Sequence, residues 1–266
     1  MRLALVQLEP ELLRVEANLA AALAAMQPLE ADLYLLPELF PSGYTFTAAA
    51  EVERAAEPAD AGPSYAAMAA FARERGAHVA YGFAERGGDR KLYNSANLVG
   101  PTGLIGTYRK IHLFGRETLF FQPGGEAAPV WELPFGRVGM MVCFDWYFPE
   151  MTRSLALRGA ELVLQPANLV LPHCPQAMIT RSLENRVFTA TCDRVGREVN
   201  GAVEHRFIGQ SQAVSPRGEV LVRLSGERAE TAVVEMDLAA ARSKRVGDYN
   251  DLFGQRREEL YPSVGV

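Results

Sequence analysis

The sequence predicts a single α/β domain over residues 1–266, built as a four-layer α-β-β-α sandwich. Apolar runs of strand length alternate with segments of helical apolar spacing along the chain. Two Pro-x-Gly hairpin turns, at residues 100–103 and 215–218, lie about half a chain apart and suggest two similar halves. Packing these halves sheet against sheet, with helices on the outside, would bury both sheets.

The first half is predicted to hold five strands and two helices. Apolar residues recur at helical spacing among strong helix formers between residues 15 and 26. Pro37 ends the second strand, and Gly76 ends the second helix. The predicted strands are residues 3–7, 32–36, 78–85, 92–99 and 104–108, and the predicted helices are residues 15–26 and 64–75.

The second half repeats this alternation. Pro134 and Gly136 mark the turn between its first two strands, and Pro149 is suited to the first turn of a helix. The predicted strands are residues 130–133, 137–143, 162–165, 188–192, 208–214, 220–224 and 231–235, and the predicted helices are residues 150–158, 176–185 and 238–242.

Composition and charge argue against several classes of protein. The 27 basic and 32 acidic residues give a net charge of −5 without a basic block, which argues against a nucleic-acid or anionic-membrane partner. The apolar run at residues 3–8 meets charged residues too early for a signal sequence, and no run of about 18 apolar residues occurs. Three widely spaced cysteines form no disulfide framework, so we expect a cytoplasmic protein.

Lysine is rare, because only Lys91, Lys110 and Lys244 are lysines among the 27 basic residues. We expect Lys91 and Lys244 to lie on the solvated surface. Lys110 directly follows Arg109, so arginine is available in this very segment. A compact ammonium suits a single oxyanion better than a planar guanidinium does. The alternative is that Lys110 is a surface residue at the end of a hairpin strand.

Cys143 ends an apolar strand and directly precedes a polar and aromatic segment and a predicted helix. At such a turn the sulfur can point away from the sheet, and the first amides of the next segment can face developing negative charge. Asp145, two residues later, favours this interpretation. The alternative is that Cys143 is a small buried hydrophobic residue.

Two glutamates are candidates for acid–base chemistry. Glu38 lies between Pro37 and Pro41 after an apolar run, where burial would raise its pKa towards that of a general base. It could instead be a turn residue whose side chain reaches water. Glu117 could hold a second carboxylate in the same pocket, or pair with Arg116.

The four histidines have no metal-binding spacing, and the chain has neither a G-x-G-x-x-G nor a Walker A motif. We therefore expect no metal and no cofactor. His112 lies on an apolar stretch and is expected to be structural. A Cys–His nucleophilic pair using His173 or His205 is geometrically possible, although no local pattern supports it.

Together these residues resemble the nitrilase superfamily of carbon–nitrogen hydrolases. The order Glu38, Lys110, Cys143, with spacings of 72 and 33 residues, fits that family. Further matching segments extend over almost the whole chain: LALVQL near the N terminus, Tyr93-Asn94-Ser95, Gln165-Pro166-Ala167-Asn168, Arg181 with Glu184-Asn185, Asp193-Arg194-Val195-Gly196 (where the family usually has asparagine first), Gly209-x-Ser211 and the ending RREELY.

The resemblance implies a cofactor-free enzyme, usually a homodimer or larger, that acts on a small amide or nitrile and water. It implies that Cys143 is the nucleophile, Glu38 the general base and Lys110 the oxyanion stabiliser. Glu117 matches a second glutamate that places substrate or water, and the backbone amide of Phe144 would complete the oxyanion hole. The further candidate substrate-binding residues are Tyr44, Trp146, Tyr147 and Asn168.

Three functions remain open. An amidase or nitrilase for small aliphatic substrates, releasing ammonia, is favoured. Relatives that act on ω-amides and carbamoyl compounds usually carry arginine four residues after the cysteine, where this chain has Tyr147. An N-carbamoyl amidohydrolase remains an alternative. A catalytically idle binding or scaffold protein is the third.

The rings of Trp146 and Tyr147 either line an apolar pocket or pack under the adjacent helix. At its unperturbed pKa of about 8.5 the Cys143 thiol is only a few per cent ionised at about pH 7, and we expect Lys110 beside it to favour the thiolate.

Overall fold

The computed structural model describes residues 1–261, which form two six-stranded β-sheets, a two-stranded hairpin and five α-helices. The strands are β1 (Arg2–Gln7), β2 (Leu33–Leu35), β3 (His78–Arg86), β4 (Leu92–Gly100), β5 (Gly103–Arg109), β6 (Val130–Leu133), β7 (Gly136–Met140), β8 (Leu162–Pro166), β9 (Phe188–Cys192), β10 (Val195–Asn200), β11 (Val203–Ile208), β12 (Gln212–Val214), β13 (Val220–Arg223) and β14 (Glu230–Glu235). The helices are α1 (Val15–Met26), α2 (Ala49–Ala55), α3 (Pro63–Arg75), α4 (Pro149–Leu157) and α5 (Cys174–Asn185).

The two large sheets share one topology. In the first, with strand order β14-β1-β2-β3-β4-β5, strands β1 to β3 are parallel and the others run antiparallel to their neighbours. In the second, with strand order β6-β7-β8-β9-β12-β13, strands β7 to β9 are parallel and the others antiparallel. The repeat confirms the prediction of two similar halves.

Alternate side chains of the strands face different layers. Leu3 and Leu5 of β1 belong to the apolar core between the sheets, together with Leu164 of β8. Ala4 and Val6 face the other way and pack in a separate cluster with residues of α1 and α3. Helices α4 and α5 contact β7, β9 and β12 of the second sheet. The molecule is therefore the four-layer α-β-β-α sandwich that the sequence predicts.

Both predicted Pro-x-Gly hairpins are present, joining β4 to β5 and β12 to β13. The prediction of one strand over residues 208–214 is wrong, because the chain breaks between β11 and β12. Gly209 and Gln210 both adopt positive φ angles, of 60° and 57°, which no extended strand can contain. The predicted strand 137–143 likewise ends early, at Met140.

The hairpin β10–β11 and helix α2 were not predicted. The hairpin stands outside both large sheets, and charged residues interrupt its apolar pattern, so its sequence lacks the alternation of a half-buried strand. Its position matters, because β10 contacts the loop that carries Tyr44.

Lys91 is exposed, as predicted, but Lys244 is not. The Lys244 ammonium donates to the carbonyls of Asn185 at 3.2 Å and Arg186 at 2.8 Å, at the end of α5. A cation there complements the helix dipole, while burial lowers the pKa of Lys244 to about 8. The expectation of a solvated lysine failed because its partners lie almost sixty residues away in sequence.

No helix within residues 1–261 combines the length and the apolar character needed to cross a membrane.

Candidate active site

The polar residues of the site follow the carboxyl ends of strands in both sheets. Glu38 comes shortly after β2 and Lys110 directly after β5, two strands of the first sheet. Cys143 follows β7 and Asn168 follows β8 in the second sheet. The Asn168 side-chain amide donates to the backbone carbonyl of Glu38 at 2.9 Å, and this contact joins the two sheets at the site.

A buried ammonium lies between two carboxylates. Lys110 Nζ is 2.8 Å from Glu38 Oε1 and 2.8 Å from Glu117 Oε1. The Asn94 side-chain amide donates to Glu38 Oε1 at 2.7 Å. Lys110 and Glu38 are fully buried, and Glu117 is almost so. This excludes a surface role for Lys110, a solvent-facing Glu38 and a simple pairing of Glu117 with Arg116.

Burial and the neighbouring charges together raise the pKa values of both Lys110 and Glu38. Burial alone would lower the pKa of Lys110, but the Glu117 and Glu38 carboxylates together raise it, so the ammonium stays charged. Burial raises the pKa of Glu38 above its usual 4.5, and Glu117 adds to this, while Lys110 opposes it. Within residues 1–261, Glu38 Oε2 has no hydrogen-bond partner. This oxygen is available to accept a proton.

Cys143 stands at a sharp break in the chain. Its φ angle is +42°, a left-handed value that costs energy for a residue other than glycine. Gln165 donates to the Cys143 carbonyl at 2.8 Å, and Sγ lies 3.7 Å from the Asn168 carbonyl. Burial and the Glu38 charge raise the pKa of the thiol well above its usual range, although Lys110 opposes this. Lys110 favours the thiolate, as expected, but desolvation outweighs it, so the thiol is less ionised than it would be at its unperturbed pKa.

Asp145 organises the segment after the cysteine. Its carboxylate accepts from Tyr108 Oη at 2.7 Å and from the Val142 amide at 2.9 Å. It also accepts from the His112 amide at 3.2 Å and lies 2.8 Å from His112 Nδ1. The His112 ring stacks on Phe148 at 3.6 Å. His112 is thus structural, as expected, and it ties the Lys110 segment to the Cys143 segment.

Two adjoining cavities open beside these groups and share Phe114. The cleft at the cysteine is lined by Phe114, Cys143, Phe144, Trp146, Tyr147, Asn168, Leu169, Val170 and Leu171. A second cavity of about 140 Å³ is lined by Tyr44, Phe46, Phe114, Gly115, Arg116, Glu117, Phe120, Phe121 and His205. Trp146 both lines the cleft and packs in the core, whereas Tyr147 is 54% exposed. Both interpretations of these two rings therefore hold in part.

Tyr44 links the carboxylate cluster to the β10–β11 hairpin. Its hydroxyl donates to Glu117 Oε1 at 2.8 Å. The Glu198 carboxylate of β10 accepts from the Tyr44 and Thr45 amides at 2.9 and 2.5 Å, and Arg194 pairs with it at 2.7 Å. No local sequence pattern marks Asn94 or Glu198 as a site residue, because their partners lie far along the chain.

A second buried carboxyl group lies behind the cleft. Asp193 Oδ1 accepts from the Leu169 amide at 2.8 Å, and Oδ2 has no partner among residues 1–261. Burial raises the pKa of Asp193 well above its usual range.

The histidines offer neither a metal site nor a catalytic pair with the cysteine. His205 Nδ1 lies 3.0 Å from Thr45 Oγ1, and His173 precedes α5. Neither makes a hydrogen bond to Cys143 within the described part of the chain. In residues 1–261, no group of three His, Cys, Asp or Glu side chains is placed to bind a metal ion.

Known proteins resemble the chain over nearly its full length. The family model described as carbon-nitrogen hydrolase matches residues 2–246. A protein named nitrilase from Pyrococcus abyssi is 46% identical, covering 98% of each chain. An (R)-stereoselective amidase from a Pseudomonas species is 36% identical, covering 96% of this chain and 92% of that protein. A Nesterenkonia amidase of the nitrilase superfamily superimposes with a TM-score of 0.81 at 28% identity, covering 98% of this chain and 95% of that chain.

Another structure of the Nesterenkonia amidase has acrylamide added to its active-site cysteine. The matches confirm the family that the sequence motifs indicated. The fold, the extent of the family match and the level of identity agree. This chain belongs to the carbon–nitrogen hydrolase family and is a carbon–nitrogen hydrolase of the nitrilase superfamily.

Proposed function

We propose that the chain, as one domain, hydrolyses small amides or nitriles through a thioester on Cys143 and releases ammonia. One observation carries the proposal: the buried Glu38–Lys110–Glu117 cluster, with a free carboxylate oxygen on Glu38, adjoins the cleft that Cys143 lines. A nucleophile, a base and a fixed cation are the groups that acyl transfer requires.

The first step is attack by the Cys143 sulfur on the substrate carbon. The resting thiol keeps its proton, because burial raises its pKa. Glu38 Oε2 accepts that proton as the carbon–sulfur bond forms. The raised pKa of Glu38 suits this role, because the carboxyl group can later return the proton.

Charge develops on the substrate oxygen, or on nitrogen for a nitrile, during this attack. An ammonium has three N–H groups, and Lys110 uses two of them for Glu38 and Glu117. The third remains for the oxyanion. The backbone amide of Phe144, at the start of the segment after Cys143, is the second donor in this proposal.

For an amide, the carbon–nitrogen bond breaks when Glu38 returns the proton to the departing nitrogen. For a nitrile, the attack gives a thioimidate, and a first water must add to its carbon, supplying the oxygen of the later thioester, before this bond can break. Ammonia leaves, and the acyl group stays on sulfur as a thioester. Glu38 then takes a proton from water, whose oxygen attacks the thioester carbon. The carboxylic acid leaves, and the proton returns to sulfur. Glu117, held by Lys110 and Tyr44, places the substrate or this water.

The test is a screen for ammonia and carbon dioxide over aliphatic nitriles, primary amides and N-carbamoyl amines. We expect ammonia without carbon dioxide from amides or nitriles. Cys143→Ala removes turnover, whereas Cys192→Ala, which changes another buried free cysteine, keeps it. Rapid acid quenching should also trap an acyl mass increase that the Cys143→Ala variant lacks.

Other outcomes would select other functions. Carbon dioxide together with ammonia would favour the N-carbamoyl amidohydrolase. No product from any class would favour an idle binding protein. Unchanged turnover by Cys143→Ala would refute the nucleophile.

We also propose a homodimer or larger assembly in the cytoplasm. Leu157 of α4 and Leu183 of α5 expose 43% and 49% of their surfaces, on the outer layer of the sandwich. The three cysteines are free, buried thiols, as is usual in a reducing compartment. Light scattering should give at least a dimer mass, which Leu183→Glu should lower. A monomer at micromolar concentration would contradict the assembly.

A further inference from the structure

The cavity beside Glu117 changes character from its inner end to its open end. At the inner end, Glu117 contacts Lys110, and Tyr44 donates to Glu117. The walls are the rings of Phe46, Phe114, Phe120 and Phe121. Arg116, which is exposed, and His205, which is half-buried, complete the lining on the open side. Four phenylalanine rings therefore lie in the same cavity as Glu117 and the two nitrogen-bearing side chains.

The two nitrogen-bearing side chains make few polar contacts within residues 1–261. The Arg116 guanidinium makes no ion pair or hydrogen bond within residues 1–261. Its Cζ lies 5.9 Å from the centre of the Phe120 ring. His205 Nδ1 lies 3.0 Å from Thr45 Oγ1, which leaves Nε2 for the cavity. Arg116 and His205 line the same cavity. Burial lowers the pKa of His205, the Glu198 charge opposes this, and the Arg116 and Arg194 charges add to the lowering.

The acidic groups around the cavity already have partners. Lys110 and Tyr44 hold Glu117, and Arg194 holds Glu198 at 2.7 Å. Glu117 and Glu198 are thus paired with Lys110 and Arg194 rather than with Arg116. A guanidinium binds a carboxylate through two parallel N–H groups, and this pairing is stronger and more specific than a neutral hydrogen bond.

We propose that Arg116 and His205 form a subsite for a carboxylate at the far end of the substrate. The preferred substrates are then short aliphatic amides or nitriles with a terminal carboxylate. This inference rests on the proposed function of the same site. The volume of about 140 Å³ holds about five water-sized groups, which fits a carboxylate and a few methylenes.

The test compares glutarate monoamide with pentanamide, which has the same chain length and no carboxylate. We expect the wild-type ratio of kcat/KM to favour the monoamide, and Arg116→Gln to lower that ratio by about 10- to 100-fold. Arg116→Glu should reverse the preference towards 5-aminopentanamide. Arg90→Gln, which changes an exposed arginine in the β3–β4 turn, is the matched control.

Failure of the inference and failure of the proposed function give different results. Turnover of pentanamide with no preference for the monoamide, or a ratio that Arg116→Gln leaves unchanged, would overturn the subsite alone. Absence of all turnover would overturn the proposed function. In that case calorimetric titration with glutarate still decides the subsite, because wild type should bind it and Arg116→Gln should bind it at least about tenfold more weakly.

Discussion

Asp193 is a fully buried carboxyl group with few partners. Replacing it with asparagine should raise the free energy of unfolding relative to that of the wild type, by an amount that grows as the pH rises. Its Oδ1 accepts one hydrogen bond, from the Leu169 amide, which an asparagine oxygen can also accept. Its Oδ2 has no partner within residues 1–261. Burial raises the pKa of Asp193, and the Leu169 and Arg194 groups do not cancel this, while Glu38 adds to it.

The direction of the effect follows from proton uptake. Below the usual value of 3.8, both the folded and the unfolded chain carry the proton. Above it the unfolded chain ionises first, so the stability that this group contributes is lost as the pH rises towards the folded pKa. The loss is about 1.4 kcal/mol per pH unit. Asparagine does not titrate, so the free energy of unfolding of the variant rises relative to that of the wild type by the same amount per pH unit.

Urea unfolding between pH 4.5 and 8, by circular dichroism, measures the gap in the free energy of unfolding. From pH 3.8 up to the folded pKa, the gap should widen by about 1.4 kcal/mol per pH unit. Asp60→Asn is the control, because that exposed carboxylate is in water in both states. A gap that stays flat with pH would show that Asp193 is ionised in the folded protein, and would refute the reasoning.

Three further predictions concern the carboxylate cluster. Lys110→Arg should lower ammonia release by at least about 100-fold, because a planar fork cannot replace a buried point charge between two carboxylates; near-normal release would contradict this. Glu117→Gln should move the acid limb of the kcat/KM profile to lower pH, because the Glu117 charge helps to raise the pKa of Glu38, which must be ionised to act. An unchanged acid limb would show that the ionisation of Glu38 does not control kcat/KM. Tyr44→Phe should lower kcat by about tenfold by removing a hydrogen bond to Glu117, and an unchanged kcat would mean that this bond serves structure only.

The fold was largely predictable because its signals are local. Apolar runs and the turn chemistry of Pro-x-Gly segments mark most strands and both main hairpins. The break at Gly209 and Gln210 was not predictable, since nothing in a run of strand-forming residues requires positive φ there. The β10–β11 hairpin was missed because it lies outside the sheets, where alternation of polar and apolar residues is not imposed.

The candidate site was predictable only at its strand ends. Glu38, Lys110 and Cys143 are polar or reactive residues that interrupt apolar runs, which makes them visible in the sequence. Asn94 lies within a buried strand and reaches Glu38 across 56 residues of sequence, so its role depends on the register of β3 with β4. The resting state of the thiol also escaped prediction, because it depends on the balance of burial against charge.

That balance explains why the proposed mechanism needs a second carboxylate. With Lys110 alone beside it, a buried thiol would gain an attractive cation and ionise more readily. Glu117 shares that ammonium with Glu38, and the charges of both carboxylates raise the pKa of the thiol. In this mechanism the Cys143 sulfur loses its proton only as it attacks the substrate, and Glu38 accepts that proton. A neutral thiol is also a poor target for oxidants, which react with thiolates. In the proposed mechanism, the same cluster thus supplies the base and keeps Cys143 protonated between turnovers.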